Sequence, residues 1–348
     1  MRFGLFGSAQ AKRGGPEIDS SEGFRDFIEY NIEAEALGFY SSFLVEHHFT
    51  GFGQVSATMN LLTWLAARTT TLRVGTAVIV LPWHNPVLLA EQAATVDLLS
   101  GGRLDFGMGK GYRHNEFHGF NIPMAEAEAR FEEALDLLIK AWTSQERFDH
   151  RGRFWTFNDI VVEPPPAQKP HPPIWMGASS DRSIREVARR GFKLLLEQYA
   201  TPEEIASRIA LYKSEVERHG RAFDPMDVGV ARAFHVATNA QDKQEALARR
   251  LQNRLRQLQI AIRPGVNDGD WRARSHADTA ALNEASAMYG TPDEILEKLE
   301  ALRAVGVGYV LLNGGGSGGG ERARQSLRRF AREVMPAMSD KPALRVVG

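Results

Sequence analysis

The sequence predicts an α/β fold, a closed (β/α)8 TIM barrel with insertions in the loops at the C-terminal face. Residues 1–348 are read as a single domain. Three observations predict it. Short apolar runs alternate with longer amphipathic segments from one end of the chain to the other, which implies a parallel sheet covered by helices. Eight such strand–helix pairs can be read. That number, at this length, favours a closed barrel over an open doubly wound sheet, the second choice.

The pairs follow in order. Arg2–Gly7 reads as a strand and Ser21–Leu37 as a helix, with Ser21 as N-cap and Phe24, Phe27, Ile28 and Ile32 at helical spacing. Phe39–Val45 is the second strand and Ala57–Ala67 its helix. Leu72–Leu81 is rich in Val, Thr and Ile and reads as one strand. Asn85-Pro86 then opens a helix to Leu99, with proline in its favoured first position. Leu104–Met108 and Glu126–Trp142 form the fourth pair; Phe131, Leu135, Leu138 and Ile139 mark an apolar stripe on the helix. The remaining strands are Pro173–Met176, Phe192–Leu196, Val228–Ala237 and Tyr309–Leu312. Their helices are Arg182–Arg190, Pro202–His219, Asp242–Leu258 and Gly320–Val334. Two stretches break the rhythm and are read as loop insertions. Residues 146–172 carry Phe148, Phe154, Trp155 and Phe157 before a run of three prolines. Residues 259–290 are polar and contain Arg263-Pro264-Gly265, the pattern of a disordered loop or an active-site lid.

Composition narrows the function. Lys and Arg number 42 against 43 Asp and Glu, a net charge of -1 that offers no field for nucleic acid or an anionic membrane. The chain has no cysteine, so thiolate nucleophiles, thiolate metal sites, Fe–S clusters and dithiol redox chemistry are excluded together. Any redox step therefore belongs to a bound cofactor. The longest apolar run, Val74–Leu81, is far short of the ~18 residues of a spanning helix. Met1–Gly7 lacks the pattern of a secretory signal, and a cytoplasmic location is expected.

In a barrel, chemistry gathers at the C-terminal ends of the strands. The second strand runs into Val45-Glu46-His47-His48-Phe49. Side chains alternate along a strand, so Glu46 and His48 point one way and His47 the other, and the adjacent histidines do not grip one metal ion. No metal site is expected. His47 suits proton handling, or it is a buried histidine satisfying local carbonyls. The fourth strand runs into Gly107-Met108-Gly109-Lys110-Gly111-Tyr112-Arg113, whose glycines admit a ligand to the backbone beside one positive charge. The run fits neither a dinucleotide fingerprint nor a P-loop. After the fifth strand, Gly177-Ala178-Ser179-Ser180-Asp181-Arg182-Ser183 enters a helix through small hydroxyl residues. Such a turn binds a phosphate or merely caps the helix. The Gly-rich tract 313–320 reads as a flexible loop or as amides near an anion.

Together these residues resemble the bacterial luciferase-like, flavin-dependent monooxygenases. The likeness is carried by Leu44–Gly53, Val74–Pro82, Leu98–Gly107, Gly111-Tyr112 with Glu116-Phe117 and Gly119-Phe120, and Phe330–Pro336, and it spans essentially the whole chain. It implies a barrel binding FMN, with the phosphate at the ends of the fourth and fifth strands. Reduced FMN would come from a separate reductase, and O2 would be co-substrate. A flavin C4a-hydroperoxide would oxidise an aldehyde, alkane, ketone or sulfur compound. By the resemblance His47 is the catalytic histidine, and Ala77–Val78 falls where the family carries a non-proline cis peptide beneath the flavin ring. Lys110 takes the place of an arginine near the phosphate, with Tyr112 beside it. Gly177, Ala178, Ser179, Ser180 and Ser183 match the phosphate turn, Ser179 replacing an acidic residue. Phe6, Trp83, Trp155 and Tyr112 are read as pocket walls. A homodimer is implied. The alternative on the same barrel is an F420-dependent reductase or dehydrogenase, which transfers hydride without O2.

Overall fold

The computed structural model describes residues 1–261, 279–314 and 320–339. Strands β1 (Arg2–Gly7), β2 (Ser41–Leu44) and β3 (Arg73–Thr76) pair in parallel, with Leu5 beside Ser42 and Phe43 beside Gly75. Helix α1 (Glu22–Ala36) crosses from the first to the second, and α2 (Thr58–Arg68) from the second to the third. A two-residue strand, β4 (Ile79–Val80), precedes α3 (Pro86–Leu99) and β5 (Leu104–Gly109). Then come α4 (His114–Gly119), α5 (Ala127–Thr143), a hairpin of β6 (Phe148–Arg151) and β7 (Thr156–Ile160), and β8 (Ile174–Gly177). The second half comprises α6 (Asp181–Arg190), β9 (Lys193–Leu196), α7 (Pro202–Arg218), β10 (Val228–Val236) and α8 (Ala240–Ala261). It closes with α9 (Thr279–Ala285), β11 (Met288–Gly290), α10 (Pro292–Ala304), β12 (Tyr309–Asn313), α11 (Gly320–Arg329), a π-helical turn at Phe330–Val334 and α12 (Met335–Met338).

The order β1-β2-β3-β5-β8-β9-β10-β12 returns to β1, where Arg2 lies beside Tyr309, so eight parallel strands form a closed barrel as expected. Local sequence explains the helix starts. Asn85 accepts hydrogen bonds from the Val87 and Leu88 amides at the head of α3. Thr201 and Thr291 each open a helix with Pro at the first position and a Glu three residues on, completing reciprocal capping boxes on α7 and α10. The main apolar core lies between the strands and the ring of helices. A smaller cluster fills the barrel axis: Phe43, Trp175 and Tyr309 stand edge-on or tilted with centroids 5.7–6.3 Å apart, backed by Leu195 and Leu311. Near the N-terminal end of the strands Asp105 accepts from Arg73 Nε at 2.7 Å and from the Trp175 indole at 3.1 Å. The axis is thus a packed core, and a ligand is left the C-terminal mouth.

Several expectations change. The strand read over Leu72–Leu81 is broken: β3 ends at Thr76, the Ala77–Val78 peptide bond is cis, and β4 resumes beside Met108 and Gly109 of β5. Thr76 bridges the break, its hydroxyl donating to the Gly107 carbonyl at 2.6 Å and accepting from the Gly107 amide at 2.8 Å. Residues 146–172 hold the β6–β7 hairpin, and they connect α5 to β8. That connection leads to the N-terminal end of β8, which corrects the expected place of this insertion among the C-terminal loops. Its backbone amides at Arg153, Phe154 and Trp155 are bound by Glu133 of α5, so Trp155 is no wall of the mouth. Helix α10 is an element beyond the eight expected pairs. Of the stretch 259–290 expected as a lid, residues 262–278 lie outside the described residues. The described part ends in β11, which pairs with the C-terminal end of β10.

Candidate functional site

Beyond the end of β2 the chain turns outward, and two carboxylates organise the segment Val45–Phe49. Glu46 is 2% exposed. One of its oxygens accepts from His48 Nε2 at 2.9 Å and from His84 Nε2 at 2.7 Å; the other accepts from the Val80 amide at 2.7 Å. Burial pushes this carboxyl up, but the hydrogen bonds from His48, His84 and Val80 outweigh it and leave its pKa below the usual value. Glu46 therefore ties the end of β2 to β4, which follows the cis peptide, and to the turn after it.

Glu116 does the same for the second histidine. It is 2% exposed on α4, and its Oε1 lies 3.0 Å from His47 Nδ1 and accepts from the His48 amide at 2.9 Å. A carboxylate only accepts, so the proton of a neutral His47 sits on Nδ1 and its Nε2 carries the lone pair. Burial holds the His47 pKa below its ordinary value, and the charge of Arg113 adds to this against the hydrogen bond that His47 donates to Glu116. The imidazole is thus kept uncharged at neutral pH and oriented by one carboxylate. Glu46 and His48 do share a face, as alternation requires. Each histidine is engaged by a different carboxylate, and among the described residues no group of three or more His, Asp or Glu is placed to hold a metal ion.

Around His48 stands an aromatic wall. Its ring lies 5.4 Å from Trp83 and 4.7 Å from Phe120, and Trp83 lies 5.5 Å from Phe117 of α4. Phe49, 59% exposed, extends the wall at 5.0 Å from Phe120. Of the expected wall residues, Trp83 is here. Phe6 packs on the axial cluster and Tyr112 is exposed on the loop before α4.

The other expected residues gather at the ends of β5 and β8. Ala77 and Val78 pack against the axial aromatic cluster. A methyl added at Gly109 would come 2.8 Å from Val78 Cγ2, and one at Gly177 would reach Val78 Cγ1 at 3.6 Å. The missing side chains at 109 and 177 thus leave both flanks of Val78 bare. Lys110 follows Gly109 and lies 3.9 Å from Glu128, which also binds Arg182 at 2.5 Å. Ser180 caps α6, accepting from the Ser183 amide at 3.3 Å, and the two hydroxyls are 2.8 Å apart. Ser179 and Gly177 are exposed beside it, with Ala178 half-buried. The uncapped amides of the first turn of α6, the Ser180 and Ser183 hydroxyls and the Lys110 ammonium are a donor set suited to a phosphate monoester. The shallow glycine-flanked floor at Val78 suits a flat ring system. These residues fit FMN.

Sequence reasoning missed Glu46 as a hub, Glu116 as the partner of His47, and His84. Glu46 and Glu116 both sat inside quoted motifs, without a role assigned to either. Glu116 lies 69 residues from His47, on a helix of six residues that is too short to show a period.

Comparison with known proteins agrees with this geometry. The family model for the luciferase-like monooxygenases matches residues 1–308. The chain is 27% identical over 336 residues to an FMNH2-dependent dimethylsulfone monooxygenase of Pseudomonas putida, covering 90% of this chain and 88% of that one. It is 26% identical over 354 residues to the oxygenase component of a flavin-dependent trigonelline monooxygenase of Acinetobacter baylyi, covering 98% and 96%. Among solved structures, the monooxygenase RslO1 from Streptomyces bottropensis superposes with a TM-score of 0.84 at 26% identity, covering 97% of this chain and all of that one. An F420-dependent secondary alcohol dehydrogenase shares the fold alone, with a TM-score of 0.77 at 16% identity over 97% of this chain and 99% of that one. The match of the family model over residues 1–308, on a closed eight-stranded barrel, makes this chain a member of the luciferase-like monooxygenases.

Proposed function

We propose that the protein is a two-component oxygenase that takes reduced FMN from a separate flavin reductase and, with O2, oxidises a small organic substrate: an aldehyde, alkane, ketone or sulfur compound. The observation that carries the reading is the pairing of His47, uncharged and oriented by Glu116, with a phosphate donor set at Lys110 and the head of α6 on the same barrel mouth. Bound reduced flavin would supply the electrons that activate oxygen.

The chain's own residues have distinct tasks in this reading. Lys110, Ser180, Ser183 and the first-turn amides of α6, with Ser179 alongside, hold the phosphate. Lysine is a point charge without arginine's fork, so hydroxyls and amides carry the directional part of that grip. Ala77–Val78 with Gly109 and Gly177 forms the floor under the ring, with Ala178 and Tyr112 at its margins. His47 accepts or returns a proton at Nε2 while Glu116 holds Nδ1. Trp83, Phe117 and Phe120 keep water from the reacting end.

The proposal extends to assembly and location. Trp64 on α2 and Leu88, Leu98 and Leu99 on the neighbouring α3 are 44–64% exposed, an apolar face suited to a homodimer. Among the described residues no helix is long and apolar enough to cross a membrane. A cytoplasmic site of action, where a flavin reductase supplies the reduced cofactor, belongs to the same reading. The test is an anaerobic titration with reduced FMN, then O2 and substrate. Binding is expected, weakened at least about tenfold by Lys110→Ala, with His47→Ala abolishing product while sparing binding. Failure of reduced FMN to bind would overturn the proposal. Hydride transfer from F420 on the same barrel is the competing reading, and oxidation that proceeds with F420 in the absence of O2 would establish it.

A further inference from the structure

Buried polar atoms without a hydrogen-bond partner cluster in this protein. Among the described residues there are ten such side-chain atoms, and five belong to Trp83, Arg113 and Asn115. These residues flank one helix: Arg113 and Asn115 sit at the start of α4, and Trp83 packs on its Phe117.

Arg113 is the informative member. It is 4% exposed, and its Nε and Nη1 have no acceptor. Two other buried arginines have acceptors for both terminal nitrogens, although Arg250 Nε is also without a partner. Arg232 donates to the carbonyls of Glu197, Ala200 and Ala231, and Arg250 to Asn283 and Ser286. Among the described residues Arg113 has no carboxylate partner either: Glu116, three residues on, is committed to His47 and His48. The ring of Tyr112 lies 5.7 Å from the guanidinium and leaves the charge uncompensated. A buried cation with a planar set of unused donors is the complement of a planar oxyanion. Keeping it costs stability unless a ligand completes it.

Two oxyanions are candidates: a group on the organic substrate, or the cofactor phosphate. Lys110 and the head of α6 already offer the phosphate its donors. Arg113 instead opens the helix that carries Glu116 and Phe117, and its charge acts on His47. We propose that Arg113 binds a carboxylate of the oxidised substrate, which makes the natural substrate an organic acid with an apolar or aromatic body. Trp83 Nε1 and Asn115 Nδ2 are further unused donors on residues that flank α4. This rests on the reading of His47 as the group at the reacting end.

The full-length protein is titrated by calorimetry with benzoate and with its neutral isostere benzamide. Benzoate is expected to bind at least about tenfold more tightly. Arg113→Gln should abolish that preference while leaving benzamide unaffected, and Arg113→Lys should keep part of it. Equal binding of the two probes to the native protein, or unaltered benzoate binding to Arg113→Gln, overturns the proposal. The native comparison and Arg113→Lys decide the matter if Arg113→Gln does not fold. A parallel titration with FMN and riboflavin separates the two sources. A loss on Arg113→Gln confined to FMN assigns the guanidinium to the phosphate and overturns the proposal; equal responses support it. Failure of native protein to bind any flavin defeats the oxygenase reading, while the benzoate comparison still reads Arg113.

Discussion

Replacing Glu116 by Gln removes a charge from the centre of the site and almost nothing else. The carboxylate is buried and serves two donors, the His48 amide at 2.9 Å and the His47 Nδ1–H at 3.0 Å. A bond to a charged acceptor contributes about 1.5–3 kcal/mol, against about 1 kcal/mol for a neutral one. The amide of Gln still accepts, so the two bonds together lose about 1–4 kcal/mol, offset in part because a neutral amide is cheaper to bury than a carboxylate. The net expectation is a destabilisation of about 1–2 kcal/mol, read as a lower urea midpoint at unchanged m-value. The larger effect is chemical. The Gln side chain also carries an NH2 that can donate to His47 Nδ1, which moves the ring proton to Nε2 and removes the lone pair from the reacting side. General acid–base catalysis is worth about 10²–10⁴ in rate, so oxidation should fall at least about tenfold with flavin binding intact. Nitrogen-15 NMR of the histidine rings reads the tautomer directly. If the proton moves to Nε2 and the oxidation rate is unchanged, the argument that Glu116 acts through His47 is wrong.

Other expectations concern the barrel wall and the acid response. Thr76→Val leaves the buried Gly107 amide and carbonyl unpaired at the break in the third strand. At about 1–3 kcal/mol each, the expected loss is about 2–6 kcal/mol, checked by denaturant titration. Gly107→Ala would set a methyl carbon 1.8 Å from the Thr76 carbonyl oxygen, which is backbone and cannot swing aside; a loss of about 3 kcal/mol or more is expected, seen as insoluble protein or a depressed Tm. Acidification should destabilise the fold through His47. Its pKa in the folded chain lies below the ordinary 6.5, so the unfolded chain takes up the proton first. Stability is full above pH 6.5 and declines as pH falls from there toward the folded value. His47→Gln should flatten that slope, and a slope identical to native would refute the assignment.

The sequence carries the barrel because each strand and most helices announce themselves locally: Val- and Leu-rich runs, Asn85-Pro86, and Thr201-Pro202 with Glu204. Thr291-Pro292 with Glu294 bears the same signature, but α10 lies between a polar stretch and the last strand, where no strand of the barrel wall precedes it to complete a pair. His47 is legible from its place after a strand. Its partner is not, since Glu116 reaches it across a six-residue helix from another part of the chain. Arg113 stands in plain view in the glycine-rich run. What singles it out, burial without an acceptor, is a property of the packed barrel and of no local pattern. The break after Thr76 is legible as a cis bond only through family likeness, because Val, Ile and Thr favour a strand right across it.

The seam between β1 and β12 sets the order in which this protein can be finished on the ribosome. Every residue assigned to the site, from Glu46 to Ser183, is synthesised before β9, but β1 keeps one unpaired edge until Tyr309–Asn313 emerges and docks beside it. A nascent half-barrel thus carries all of its candidate chemistry with two open strand edges, the condition in which parallel sheets invite misassociation. Truncation ahead of β12 should therefore yield aggregation in place of a weaker enzyme, and the site is complete only once the last strand has closed on the first.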